Sequence, residues 1–241
     1  MRKFLSSIFL IGFLFSFAIG ANAEIKVPSQ VGDIYVQDYA NVLNREDTQT
    51  LIQLGRKLED TTSAQLAVLT IPSLEGNDIK EYANTAFRKY GLGNKEKNNG
   101  VLLLYAKKDR QIRIEVGYGL EGVVTDIRSG NILDQSAIPY LKKGEESLAL
   151  TNTYKSLYNV ILNGSEQTGH SKTSNLWANL KVFIIIAIVI AVIIIDMLFF
   201  NGVLTYFILN LLPALLNSSG GGGPRGGGGG SSGGGGSDRK F

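Results

Sequence analysis

The sequence predicts an α/β fold, a three-layer α/β/α sandwich with a small mixed sheet, over residues 28–164. Two short apolar runs, Leu66–Ile71 and Val101–Tyr105, are typical of strands that are covered on both faces. Amphipathic helical patterns lie between the strands, and a β-α-β-α-β order requires right-handed crossovers and a parallel sheet. A tight turn near Asp109 then adds one antiparallel strand to that sheet.

The first half of the domain shows clear start and stop signals. A short strand at 34–36 leads to a helix that begins at Asn44, where Asp47 completes a near capping box. A second helix follows the strand that ends at Ile71. Asp78 caps its N-terminus and Gly91 ends it.

The second half contains one more strand and two helices. Apolar and polar residues alternate over 112–116, which predicts a strand that pairs with its predecessor in a hairpin. A glycine loop follows at 117–122. Helices are then expected from about residue 126 to 140 and from about residue 145 to 162.

The glycine loop, Gly117–Gly122, matches the pattern G-x-G-x-x-G of dinucleotide-binding folds. Its context differs from that motif, because Val123–Thr125 separate the glycines from the next helix. The strand before the loop is also the second arm of a hairpin, and no acidic residue ends a following strand as the ribose contact needs. We therefore expect no nucleotide cofactor.

The ends of the chain indicate export and membrane attachment. Residues 1–23 have the basic start, apolar stretch and small-residue cleavage site of a signal peptide. Residues 165–180 are a predicted linker, and the apolar tract 181–216 supplies the transmembrane segment or segments. The glycine- and serine-rich residues 217–241 are typical of a disordered tail. The folded domain is thus expected on the extracytoplasmic side of the cell membrane.

The number of membrane spans stays open at this stage. One span needs little more than 182–200, and 203–216 is either a second short span or a helix in the interface. Basic residues favour the cytoplasmic side of a membrane. Arg225, Arg239 and Lys240 therefore favour a cytoplasmic tail and a single span.

Charge and residue types exclude several functions. The whole chain carries a formal charge of +3, but residues 24–164 contain 17 Lys and Arg against 18 Asp and Glu, which gives −1. A domain without a basic excess is not expected to bind nucleic acid. The chain has no cysteine, and its one histidine, His170, lies in the predicted linker. Cysteine nucleophiles, Ser-His triads and zinc sites are therefore excluded for the domain.

Acidic residues are the remaining candidates for chemistry. Asp38, Glu121 and Asp126 each follow a predicted strand, and ligands of α/β sheets gather where loops leave the carboxyl ends of strands. Carboxylate oxygens suit Ca²⁺ or Mg²⁺. The alternative is that Asp126 only caps a helix and Asp38 only caps a turn.

These residues resemble the TPM domain family, which includes bacterial YgcG-like membrane proteins and plant thylakoid relatives. The resemblance covers 34–164 and is densest from Asn98 to Asp126. It rests on Val36-x-Asp38-x-Ala40-x-x-Leu43, Leu66–Ile71, Asp78-Ile79-x-x-Tyr82-Ala83, Asn98-Asn99-Gly100, Asp109-Arg110, Ile114-Glu115-Val116, the glycine loop and Thr125-Asp126.

The resemblance implies an α/β/α domain that faces away from the cytoplasm and holds a divalent ion, usually proposed to be Ca²⁺. Carried onto this chain, the ion site would use Asp38, Glu121 and Asp126. Asp109 is a weaker candidate, because Lys107-Lys108 before it depart from the family pattern. For bacterial members the family implies a role in assembly or maintenance of a membrane complex, and for plant members an acid phosphatase has been proposed.

Two functions follow from this reading. The first is a non-catalytic module that is anchored in the bilayer, binds Ca²⁺ or Mg²⁺ and supports an unidentified membrane protein partner. The alternative is a metal-dependent phosphomonoesterase, which would need an open metal position and a group that activates water. The missing histidine and cysteine favour the binding module.

Overall fold

The structure, a computed structural model, describes residues 25–169 and 223–241. Its centre is a mixed five-stranded sheet in the order β1-β2-β3-β4-β5. The first three strands are parallel, and the last two are antiparallel to their neighbours. The strands are β1 (Val36–Asp38), β2 (Gln65–Ile71), β3 (Gly100–Ala106), β4 (Gln111–Gly117) and β5 (Ser232–Lys240).

Four helical segments accompany the sheet in the part of the chain that the structure describes. A π-helical turn at Leu133–Ala137 joins the third and fourth helices into one segment. Asn44, Asp78 and Gly91 occupy the helix ends that the sequence predicts. The helices are α1 (Arg45–Thr62), α2 (Ile79–Tyr90), α3 (Asp126–Ile132), α4 (Ile138–Leu141) and α5 (Glu146–Gly169).

Helices lie on both faces of the sheet, as predicted. Successive residues of a strand point to opposite faces, so Tyr105 and Leu102 of β3 face different layers. The Tyr105 hydroxyl donates to Glu146 of α5 at 2.8 Å. Glu115, which pairs with Leu102, accepts from Asn84 of α2 at 3.1 Å. Every residue of β2 and β3 is buried, which confirms two strands covered on both faces.

Several element boundaries differ from the predictions. The first strand starts at Val36 rather than Ile34, and Thr125 rather than Asp126 caps α3. The last helix continues to Gly169, so the first residues of the predicted linker 165–180 are helical. Gly164 lies within this helix beyond the predicted end, and a β-carbon there would clash with Val123.

The largest difference concerns the C-terminal tail. The prediction of a disordered tail is wrong for residues 223–241, which dock on the domain and form β5 beside β4. Glycines have no side chains to bury, but their backbone amides and carbonyls can still complete a sheet when a neighbouring strand offers an open edge. In this fold β4 is the strand with the open edge, and residues of the tail pair with it. The sheet therefore has one strand more than the sequence predicts.

Both predicted membrane-related segments, 1–23 and 181–216, lie outside the described residues. Within 25–169 and 223–241, no helix has the length and apolar character that crossing a membrane requires.

Candidate functional site at the glycine loop

Asp38 lies at the end of β1 and organises the loop that leads to α1. Its carboxylate accepts hydrogen bonds from the backbone amides of Val42 at 3.2 Å and Leu43 at 3.0 Å. It also accepts from the Thr70 hydroxyl on the neighbouring strand. These partners make Asp38 a loop-capping residue in this structure.

Asp109 has a comparable role in the turn between β3 and β4. One of its carboxylate oxygens accepts from the backbone amide of Leu74 at 2.7 Å. This hydrogen bond ties the hairpin turn to the loop that follows β2. Asp109 thus lies near the carboxyl ends of the parallel strands, as Asp38 does.

Glu121 and Asp126 lie at the other end of the sheet. They follow β4, and because β4 runs antiparallel to β3, its carboxyl end lies beside the amino end of β3. The glycine loop, which contains Glu121 and precedes Asp126, includes a 3-10 turn, Tyr118–Leu120. A β-carbon on Gly119 would clash with the Lys97 carbonyl oxygen, so this glycine permits close packing of two loops.

The expectation that Asp38, Glu121 and Asp126 converge is not met. Asp38 belongs to β1, whereas the Asp126 carboxylate accepts from the backbone amide of Gly236 in β5 at 2.7 Å. β1 and β5 are the two outer strands of the sheet, so four strand spacings, or about 19 Å, separate them. Carboxyl ends of strands gather at one edge only when the strands are parallel.

Glu121 and Asp126 do share an open cleft of about 450 Å³. Thr125, Ile127 and Gly235 complete its lining, so β5 supplies part of one wall. Gly235 is close to Glu121: a β-carbon on Gly235 would lie 2.9 Å from the Glu121 Oε1 atom. Across residues 25–169 and 223–241, no group of three or more His, Cys, Asp or Glu could hold a metal ion. This cleft therefore offers two carboxylates and an approach for water.

A second cleft, of about 330 Å³, lies at the carboxyl end of β2. Its lining combines polar and apolar side chains, among them Tyr39, Glu75, Asn77 and Tyr82. Burial raises the pKa of Tyr82 to about 12, and the charge of Glu75 adds to this shift. Sequence reasoning missed this cleft. The available signal in the sequence was Pro72 and Gly76, which mark a turn after β2. In the structure Glu75 and Gly76 both have positive φ.

Sequence reasoning also missed a buried ion pair on β4. Arg113 and Glu115 are 2% and 0% exposed, and two guanidinium nitrogens donate to one Glu115 oxygen at 3.0 and 2.7 Å. Arg113 also donates to Asp238 of β5 at 3.0 Å. The alternating pattern of β4 indicated a polar face, but it gave no sign that α2 and β5 would cover that face.

Comparison with known proteins connects this fold to a family. A family model described as the TPM domain matches residues 36–160. The solution NMR structure of the N-terminal domain of a P. gingivalis protein is similar, with 27% identity and a TM-score of 0.52 over 56% of this chain and 86% of that chain. The N-terminal domain of a Corynebacterium glutamicum protein, also solved by NMR, has 18% identity and a TM-score of 0.43 over 57% of this chain and 84% of that chain. No curated protein matches the chain.

Proposed function

The chain belongs to the TPM domain family, and on that basis we propose that it is a membrane-anchored, extracytoplasmic binding module for a divalent cation. In this proposal the module supports the assembly or maintenance of a membrane protein partner. The observation that carries the cation assignment is that Glu121 and Asp126 line one open cleft. The other two acidic candidates, Asp38 and Asp109, cap backbone amides elsewhere.

The ligand chemistry favours a hard cation. Two carboxylates offer only oxygen donors, and the cleft is open enough for water to complete a coordination shell. Ca²⁺ tolerates flexible geometry and mixed protein and water ligands better than Mg²⁺ does. With two charged ligands, we expect weak binding, with a Kd of about 10⁻⁴ to 10⁻³ M, in the range of extracellular calcium modules.

The alternative function, a metal-dependent phosphomonoesterase, needs more groups than this cleft offers. Metal-assisted hydrolysis requires an open metal position and a residue that activates or orients the attacking water. Glu121 and Asp126 are both assigned to the ion in our proposal, and the chain's only histidine is His170. We therefore favour the binding module and make phosphatase activity an outcome of the same experiment.

The test is calorimetric titration of the detergent-solubilised full chain with Ca²⁺ and Mg²⁺. The variant Glu121→Gln/Asp126→Asn should lose the Ca²⁺ signal. Glu81→Gln/Glu96→Gln, which removes two charges from exposed positions, should keep it. Calcium binding that is unchanged in the first variant would reject the site. A metal-dependent turnover of a phosphomonoester that only this variant lacks would favour the enzyme instead.

A further inference from the structure

The C-terminal tail, residues 223–241, makes specific contacts with the domain, and these contacts bear on its position relative to the membrane. We infer that the tail stays docked on its own domain in the anchored protein and therefore lies on the same side of the bilayer as that domain. The membrane part of this inference rests on the proposed anchorage. The tail's docking rests on the structure alone.

Backbone pairing sets the position of the tail. The antiparallel ladder runs from Gln111 opposite Lys240 to Val116 opposite Gly235. Without β5, β4 would be an outer strand with a row of unpaired amides and carbonyls. The tail therefore satisfies the hydrogen-bonding groups of an edge that would otherwise face solvent.

The glycines of the tail fit this surface in a position-specific way. Gly236 has a φ of +113°, and a β-carbon there would clash with the Ile114 carbonyl oxygen. A β-carbon on Gly230 would clash with the Leu92 carbonyl oxygen in the same manner. Gly236 combines a positive φ with close approach, which only glycine allows, whereas Gly230 is required by close approach alone. The glycine-rich composition that is typical of a flexible linker is thus also the composition that fits the surface beside β4.

Ser232 anchors the start of the strand. The residue is fully buried, and its hydroxyl donates to Glu115 at 2.7 Å and accepts from Asn84 at 2.9 Å. The buried ion pair of β4 therefore has its polar shell completed by the tail. A buried carboxylate without such partners would be costly, so docking and the burial of Glu115 depend on each other.

Charged side chains hold both ends of the tail. Arg225 pairs with Asp60 at 2.8 Å, and Arg239 pairs with Asp134 at 2.7 Å. The hydrogen bonds from these two arginines lower the pKa values of Asp60 and Asp134. At the C-terminus, the Arg110 guanidinium lies 5.0 Å from the centre of the Phe241 ring.

These ion pairs give the basic residues of the tail a structural role, so the residues no longer indicate a cytoplasmic location. The sequence argument for a single span used Arg225 and Arg239 as marks of a cytoplasmic segment, but both arginines have carboxylate partners on the domain. With the domain and the tail on one side, residues 170–222 begin and end in the same compartment. Any crossings within that segment must then come in pairs, which is incompatible with a single span.

A disulfide experiment tests the docking directly, because the chain has no native cysteine. The pair Gln111→Cys/Lys240→Cys joins opposite residues of β4 and β5, neither of which is buried. Oxidation of membranes that contain the full chain should give a monomer with altered gel mobility that a reductant reverses. The control pair Gln111→Cys/Ser231→Cys should not crosslink, since Ser231 lies beside Tyr118, which is about 23 Å from Gln111 along β4 at 3.3 Å per residue.

Three further results would contradict docking of the tail, its location on the same side as the domain, or the membrane anchorage. Absence of the disulfide, or a disulfide-linked dimer, would overturn docking of the tail on its own domain. Labelling intact cells with a membrane-impermeant maleimide should modify Lys240→Cys and the domain reference Glu96→Cys alike, and labelling of the reference alone would overturn the shared side. Release of the crosslinked chain by an alkaline wash would reject the anchorage while the docking stands.

Discussion

Breaking the buried ion pair of β4 should lower the free energy of unfolding substantially. Replacing Arg113 by Met keeps an apolar stem but removes the charge that faces Glu115. The Glu115 side chain is fully buried, and it would keep only the hydrogen bonds from Asn84 and Ser232. Removing one partner of a buried pair costs about 3–5 kcal/mol, because the other charge stays in a site that water does not reach. The lost contact to Asp238, which is half exposed, adds at most about 1 kcal/mol.

The double variant Arg113→Met/Glu115→Leu separates this charge effect from packing. Replacing a whole buried pair by apolar residues is often neutral or stabilising. Asn84 still donates to the Ser232 hydroxyl and carbonyl oxygen in that variant. The buried Ser232 hydroxyl loses its acceptor, Glu115, which costs about 1–3 kcal/mol and limits the recovery. We expect the double variant to be more stable than Arg113→Met by at least about 1 kcal/mol.

The measurement for both variants is the urea midpoint of the detergent-solubilised chain, followed by far-UV circular dichroism. The midpoint should fall strongly for Arg113→Met and recover in part for the double variant at an unchanged denaturant slope, because the slope reports the surface exposed on unfolding. A double variant as unstable as Arg113→Met, or less stable, would show that packing rather than an uncompensated charge causes the loss. The reasoning about the buried carboxylate would then be refuted.

Two further predictions concern the tail and share one assay, the amide hydrogen-exchange protection of β5. Gly236→Ala should lower this protection at least about tenfold, since a positive φ costs an L-residue about 1–2 kcal/mol even before the clash with Ile114. The control Gly122→Ala should leave the protection unchanged, because Gly122 has open space around it. Acid should also release the tail. Arg239 lowers the pKa of Asp134 when the tail is docked. The ion pair therefore stabilises docking fully above the pKa of Asp134 in the undocked state, about 3.9. That stabilisation disappears as the pH falls through the lower pKa of the docked state. Protection should hold at pH 5–7 and decrease about two- to fivefold below pH 4. Asp134→Asn should reduce that step, and the remainder belongs to Asp60, which Arg225 contacts at the other end of the tail. An unchanged step would exclude Asp134 as its source.

The sequence predicts most of the domain because its signals are local. Asn44 and Asp78 cap the helices that their side chains indicate, and Gly91 ends α2 in a left-handed conformation. The two apolar runs become the buried centre of the sheet. The last helix continues beyond its predicted end near residue 162, and Gly164 within it approaches Val123, a contact that no pattern along the chain reports.

The candidate site was harder to predict because it depends on strand direction across the whole sheet. The hairpin at Asp109 was predicted, yet it reverses β4 and so moves Glu121 and Asp126 away from Asp38. The role of the tail was harder still. A glycine-rich segment can be a flexible linker or a docked strand, and its composition is the same in both cases. Only the open edge of β4 in the folded domain distinguishes the two.

The cation cleft and the docked tail are connected by geometry. Glycine loses more backbone entropy on ordering than any other residue, about 0.5–1 kcal/mol more than alanine, so ordering the four glycines of β5 is unfavourable by about 2–4 kcal/mol relative to an alanine strand. Ion pairs at exposed positions offset only part of this, which makes β5 a low-stability part of the fold. Gly235 lines the cleft of Glu121 and Asp126, and Gly236 donates to Asp126. A cation that binds this cleft more tightly when the tail is docked must stabilise docking by that difference in binding free energy. Calcium should therefore raise the protection of β5, and release of the tail should weaken calcium binding by the same factor.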